Sequence, residues 1–253
     1  MTYEEAVRAI DGLETFRAAG PGLERMQALL ARMGNPEKKL RYIHVAGTNG
    51  KGSTCVMLSE ILRAAGYNTG LYVSPHVVEF TERMQLNGEE IPREELVSLV
   101  EEYLPLALSL REGGCAITEF EFITAIAFAW FAQKGCDIVV LEVGMGGRFD
   151  ATNAIPSALI SVICSISLDH TKILGDTVET VSYTHLHAFA SFRQALSDDA
   201  RRQRGGPHNR RGNGVSQQIH CRDPRREAYD PSAEPFSRRG EYFRSQSKLE
   251  LPG

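Results

Sequence analysis

The sequence predicts an α/β fold: a mostly parallel sheet flanked by helices, with a phosphate-binding loop after its first strand. Three observations carry that expectation. Over residues 1–181, short apolar runs alternate with segments of helical periodicity, the order that builds parallel sheets through right-handed crossovers. The runs IVVLEV and ALISVI are apolar throughout rather than alternating, as in a sheet covered on both faces. Each of four such runs is followed by glycine-rich or polar residues, at the carboxyl ends where sheets of this kind bind ligands.

The elements follow in order. Thr2 and Glu5 have capping-box spacing before a first helix. Leu23, Met26, Leu29, Leu30 and Met33 recur at helical spacing, and Gly34 with Asn35-Pro36 stops that helix. A first strand over Tyr42 to Ala46 ends in Gly47-Thr48-Asn49-Gly50-Lys51-Gly52-Ser53, and a helix is expected from about Thr54 to Ala65. A second strand covers Gly70 to Val73 and runs into Ser74-Pro75-His76. Asn87-Gly88 is a tight-turn pair. A helix follows over roughly 94–110, with Pro105 expected to kink it. Residues 119–133 are apolar almost all round and read as a buried helix. A third strand, Ile138 to Val143, leads into Gly144-Met145-Gly146-Gly147-Arg148, and a fourth, Ala158 to Ile166, ends at Asp169-His170.

Composition divides the chain. The net charge of −4 over 253 residues supplies no basic footprint for nucleic acid, and no apolar run is long enough to span a membrane. Five scattered cysteines form no Cys-x-x-Cys pair, so neither a disulfide framework nor a zinc ribbon is expected and a reducing cytoplasm fits. Residues 1–181 carry 15 Lys+Arg against 24 Asp+Glu, whereas residues 182–253 carry 13 against 8, and 12 of those 13 are arginine. Val, Ile, Leu, Met and Phe supply only 10 of these last 72 residues, and no period of 2 or 3.6 persists there. The expectation is one α/β domain over 1–181 and an Arg/Gly/Pro-rich tail over 182–253, disordered or foreign to the domain.

The chemistry is expected at the strand ends. A strand, a glycine-rich turn bearing lysine and then a helix form a cradle whose backbone N–H groups face an anion. Gly47 to Ser53 fit it, with Lys51 reaching the β/γ-phosphates and Ser53 or Thr54 offering a hydroxyl to Mg²⁺. The string differs from G-x-x-x-x-G-K-[ST]: position 45 is Val, and Gly52 separates the lysine from the hydroxyl. Ser74, Glu142 and His170 each follow a different strand, so all three fall on one sheet edge beside that loop. A hydroxyl and a carboxylate suit Mg²⁺, whereas imidazole alone points toward Mn²⁺. The bland alternatives are a turn at Ser74, a Glu142–Arg148 salt bridge and a loop histidine at 170. His44 and Trp130 read as core residues.

At Gly47 to Ser53 the sequence resembles the folylpolyglutamate synthase/dihydrofolate synthase family, relatives of the Mur ligases. The resemblance continues through Gly22 to Arg25, Ser74 to His76, Thr81 to Arg83, Phe120-Glu121, the specific run EVGMGGRFDATN from Glu142 to Asn153, and Leu168 to Thr171 with Leu174-Gly175. It implies an ATP-dependent ligase that adds L-glutamate to dihydropteroate or folate through an acyl phosphate. It implies Lys51, Glu142 and His170 as catalytic residues, Gly47 to Ser53 as the nucleotide loop, and Ser53, Ser74, Glu142 and His170 around Mg²⁺. The pterin end would meet Gly20, Pro21 and Gly22, then Thr118, Glu119, Phe120 and Glu121, and finally Phe149, Asp150 and Ala151. For Phe120 the alternative is plain core packing. A cytoplasmic monomer without nucleic-acid or membrane partners is expected. The sequence departs from the family after Leu174-Gly175. The family's Arg-Glu-Lys-Ala-Gly helix, whose lysine is carbamylated, would fall near His185, and Ser182-Tyr183-Thr184-His185-Leu186 does not match it. The family's C-terminal domain has no counterpart, so a nucleotide-binding fragment without turnover is the alternative function, ahead of an unrelated P-loop ATPase.

Overall fold

A computed structural model describes residues 1–14, 20, 22–168 and 177. The chain divides into two compact units, Met1–Cys221 and Arg222–Gly253, and every described residue lies in the first. The expected boundary at 181/182, the tail, Pro21 and His170 fall outside the described residues.

Five helices and six strands are described: α1 (Tyr3–Asp11), α2 (Glu24–Arg32), β1 (Tyr42–Ala46), α3 (Lys51–Ala64), β2 (Thr69–Tyr72), β3 (Met84–Leu86), β4 (Glu89–Glu90), α4 (Arg93–Glu112), α5 (Glu119–Gln133), β5 (Ile138–Glu142) and β6 (Ile160–Ile163). The strands form one sheet in the order β4-β3-β2-β5-β1-β6. β2, β5, β1 and β6 run parallel, and β3 and β4 add an antiparallel edge. The α/β, mostly parallel architecture is thus the expected one, and the hairpin is an addition to it. Asn87-Gly88 makes its turn, both residues at positive φ.

Alternate side chains of the strands meet different layers. Ile43, Val45, Leu71, Ile138 and Val140 pack with Cys55, Leu58 and Leu62 of α3 on one face. Tyr42, Tyr72, Val139 and Leu141 face the larger core built with α1, α2, α4 and α5. α5 is buried from Glu121 through Phe131, as its unbroken apolar run requires. Trp130 is core, its indole N–H donating to Glu95 Oε2 at 2.6 Å. Pro105 sits inside α4, which continues through it.

This topology positions the site. β1 lies between β5 and β6, and β2 lies on the other side of β5. The loops leaving β1, β2, β5 and β6 therefore gather along one edge.

Candidate active site

The loop after β1 is built by glycine and by the segment that leaves β6. Gly47 has φ +137°, and a Cβ there would stand 2.9 Å from Cys164 Cβ and 3.1 Å from its backbone nitrogen, so only glycine fits. Thr48 N–H donates to Ser165 O at 2.8 Å, Thr48 Oγ1 donates to Ser167 O at 3.0 Å and accepts from Ser167 N–H at 3.1 Å. Asn49 Nδ2 reaches Ser167 Oγ at 3.2 Å. The loop is thus held from outside, and its backbone need not be rebuilt around a ligand.

Gly50 caps α3 in the left-handed region, and the helix starts at Lys51, three residues before the expected Thr54. Lys51 Nζ folds back to Thr48 O at 3.3 Å, over the helix N-terminus. Lysine charge and helix dipole therefore act on the same space, which favours an anion.

Glu142, the last residue of β5, stands beside this helix start. A Cβ at Gly52 would lie 3.6 Å from Glu142 Oε2 and 3.8 Å from Oε1. Glu142 Oε2 accepts the Ser74 N–H at 3.0 Å, which ties the end of β5 to the end of β2. Burial pushes the Glu142 carboxyl above the ordinary carboxylate range, while the Ser74 N–H and the Lys51 charge pull it back. The salt bridge to Arg148 does not form: the Arg148 guanidinium lies over the Phe149 ring, 4.9 Å from its centroid. The one side-chain hydrogen bond of Glu142 among the described residues is to Oε2, and the residue is 4% exposed. Carboxylate and serine oxygens are the donors Mg²⁺ prefers. Among the described residues, no three His, Cys, Asp or Glu gather into a metal site. Ser53, exposed in the first turn of α3, takes no part in these contacts.

The second cluster lies over Gly144. A Cβ at Gly144 would meet Phe120 Cζ at 2.6 Å and Asp150 Oδ2 at 3.1 Å, so the glycine lets both groups approach the main chain there. Phe120 is half-buried and tilts against Tyr72, with centroids 6.3 Å apart. Asp150, 7% exposed, accepts the Met145 N–H on Oδ2 at 2.9 Å. Its Oδ1 accepts the Thr152 N–H at 3.0 Å and the Thr152 hydroxyl at 2.5 Å. Burial raises the Asp150 carboxyl, and these donors oppose the rise. Ala151 is buried beside it, while Phe149 is 43% exposed.

The third segment is tied in by an ion pair. Thr118 caps α5, accepting the Glu121 N–H, and the Glu121 carboxylate accepts the Thr118 N–H at 2.8 Å. The same carboxylate takes Arg25 at 2.9 Å, and Arg25 also donates to Gly20 O at 2.8 Å. Gly20 and the start of α5 are therefore joined, with Gly22 between Gly20 and α2. Glu119, half-exposed, pairs with Arg83 at 3.8 Å, and Arg83 Nε donates to His76 Nδ1 at 2.9 Å.

Two contacts were not legible in the sequence. Arg25 and Glu121 are 96 positions apart, and His44 and Thr152 are 108 apart, so no local spacing joins them. Gly144 did carry a signal, as the first glycine of the run after β5.

Comparison with known proteins adds the following. No family model matches the chain. The dihydrofolate synthase/folylpolyglutamate synthase of Bacillus subtilis (strain 168) is 46% identical over 183 residues, which cover 71% of this chain and 42% of that protein. A solved FPGS–AMPPCP–folate complex has a TM-score of 0.70 and 34% identity, covering 79% of this chain and 53% of that one. Escherichia coli FolC in complex with DHPP and ADP has a TM-score of 0.66 and 34% identity, covering 78% and 50%. The chain thus spans about half the length, or less, of these relatives.

Proposed function

The chain belongs to the folylpolyglutamate synthase/dihydrofolate synthase family, matching the N-terminal part of its members, and on that premise we propose that its site serves ATP-dependent ligation of L-glutamate to dihydropteroate or folate. A carboxylate oxygen of the pteroate or folate attacks the γ-phosphorus of ATP, and ADP leaves. The glutamate amine attacks the acyl phosphate carbon, loses a proton, and the phosphate departs from the tetrahedral intermediate.

The observation that carries the reading is the meeting of Lys51, Gly52, Glu142 and Ser74 at the ends of β1, β5 and β2. Phosphoryl transfer needs positioning and charge neutralisation more than a protein nucleophile. Gly47 to Ser53 receive the phosphates, and Lys51 supplies positive charge at the transferred group. Ser53, Ser74, Glu142 and His170 are the residues that would hold Mg²⁺, which when bound neutralises phosphate charge. The pterin is assigned to the cluster over Gly144. Phe120 and the exposed Phe149 offer flat apolar faces, and Asp150 offers acceptors for ring N–H groups. Gly20 to Gly22, Thr118, Glu119, Glu121 and Ala151 frame it. That solved relatives are complexes with AMPPCP and folate, and with DHPP and ADP, supports this division. The reading takes the protein as a cytoplasmic monomer, with residues 1–181 as the working domain. Among the described residues, no helix is long and apolar enough to cross a membrane.

The test is ADP release from this chain with ATP and Mg²⁺. Release that requires both dihydropteroate and L-glutamate supports ligation, and release with ATP alone contradicts it. A second reading, nucleotide binding without turnover, rests on the chain spanning 42% of the Bacillus subtilis protein. It predicts bound nucleotide and no ADP under any substrate combination.

A further inference from the structure

His44 stands on β1, three residues before the phosphate loop, on the face toward the larger core. It is buried, and its Nε2 lies 2.9 Å from Thr152 Oγ1. Thr152 Oγ1 in turn lies 2.5 Å from Asp150 Oδ1. Three side chains thus form one file, from the middle of the sheet to the carboxylate over Gly144.

Counting protons along the file restricts its states. Burial lowers His44 to about 4, so at neutral pH the imidazole is neutral and holds one ring proton. Thr152 has one hydroxyl proton for two neighbours. If the imidazole proton is on Nε2, it is donated to Thr152 Oγ1. The hydroxyl proton must then point at Asp150 Oδ1, and the carboxylate is ionised. If the imidazole proton is on Nδ1, Nε2 accepts from the hydroxyl. The 2.5 Å contact then requires a proton on Asp150 itself. Burial favours the protonated carboxyl of the second state, and the main-chain bonds favour the ionised one of the first. Thr152 N–H and Met145 N–H donate to Asp150, and such donors favour the ionised carboxylate. A hydroxyl donating to a carboxylate is also the short, strong kind of bond observed.

We propose that His44 is a positioning residue for Asp150: its Nε2–H fixes the direction of the Thr152 hydroxyl and so holds Asp150 as an ionised, correctly aimed acceptor. The proposal rests on the reading of Asp150 as the acceptor for pterin N–H groups. It adds a residue that never touches the substrate, joined to the substrate loop from the sheet interior. The file also couples the strand that carries the phosphate loop to the pterin cluster.

The test has one arm that needs no substrate and one that does. In the full chain with ¹⁵N-labelled histidine, the two ring-nitrogen shifts of His44 at pH 7 should report the Nε2–H tautomer. The Asp150 side-chain ¹³C shift should report an ionised carboxyl. An Nδ1–H tautomer or a protonated Asp150 overturns the proposal. In the second arm, dihydropteroate affinity is compared for wild type, His44→Leu and His44→Gln, with AMPPCP affinity as the control. His44→Leu removes the donor and should weaken dihydropteroate binding about tenfold, the scale of one hydrogen bond to a charged network. His44→Gln, which keeps an N–H near the Nε2 position, should restore most of it, and AMPPCP affinity should hold throughout. Equal loss for both ligands, or no rescue by glutamine, overturns the positioning role. If wild type binds no dihydropteroate, the substrate reading fails by itself and the tautomer measurement still decides the proposal. That measurement also stands if His44→Leu does not fold.

Discussion

Glu142 shows how a buried carboxylate is held at a cost to stability. It ends a buried strand with one hydrogen bond, from Ser74 N–H, and burial raises its pKa. A carboxyl whose folded pKa exceeds its unfolded value binds its proton more tightly in the native state. The native state therefore loses stability as pH rises from about 4, the unfolded value, to the raised folded value, and the loss is complete above it. Glu142→Gln removes the ionisation and keeps the shape. In metal-free protein, thermal melts of Glu142→Gln and wild type should coincide below about pH 4 and separate at pH 7, with the variant higher. Mg²⁺ should raise the melting temperature of wild type and leave the variant unmoved. A variant that melts lower at pH 7 would mean Glu142 is stabilised by a partner rather than waiting for a cation.

At the scale of elements, the start of α5 depends on a buried ion pair. Arg25 and Glu121 have side chains 11% and 6% exposed, whereas Arg63 and Glu60 on α3 are 51% and 46% exposed. Arg25→Ala leaves Glu121 buried with its cap alone and should cost about 3–5 kcal/mol. Arg63→Ala should leave the melting temperature unchanged, since exposed pairs are screened by water. Thr118→Ala removes the cap hydroxyl and should cost about 1 kcal/mol. Chemical denaturation of the three variants checks the order. If Arg25→Ala is as mild as Arg63→Ala, the buried pair does not hold Gly20 and the start of α5 together.

The elements also show what was legible. β1 and α5 have the expected limits, because a five-residue apolar strand stopped by glycine and an all-apolar helix opened by a threonine cap are local signals. The hairpin β3–β4 was not expected beyond its turn. β4 is two glutamates, and its pairing comes from β3 lying on β2. α3 begins at Lys51 because Gly50 takes the left-handed cap, although glycines on both sides of the lysine suggested a longer loop. Ser74 and Glu142 were placed on one edge by strand alternation alone, and they do meet. Glu121 was expected at the pterin end by resemblance, whereas its pairing with Arg25 was not legible. The His44–Thr152 contact needed β1 and the loop after β5 in three dimensions.

At the scale of the molecule, the glycine-rich loop after β1 is braced by the segment after β6 and faced by the buried Glu142 carboxylate. The glycine-rich loop after β1 and the cluster over Gly144 grow from adjacent strands, β1 and β5. The most direct test is a calorimetric titration of the chain with AMPPCP and Mg²⁺, in wild type and Lys51→Ala. Wild type should bind one nucleotide per chain, and Lys51→Ala should weaken it about 10- to 100-fold, the range for a charge-assisted bond to phosphate. Equal affinities for the two proteins, or no binding by wild type, would contradict the account.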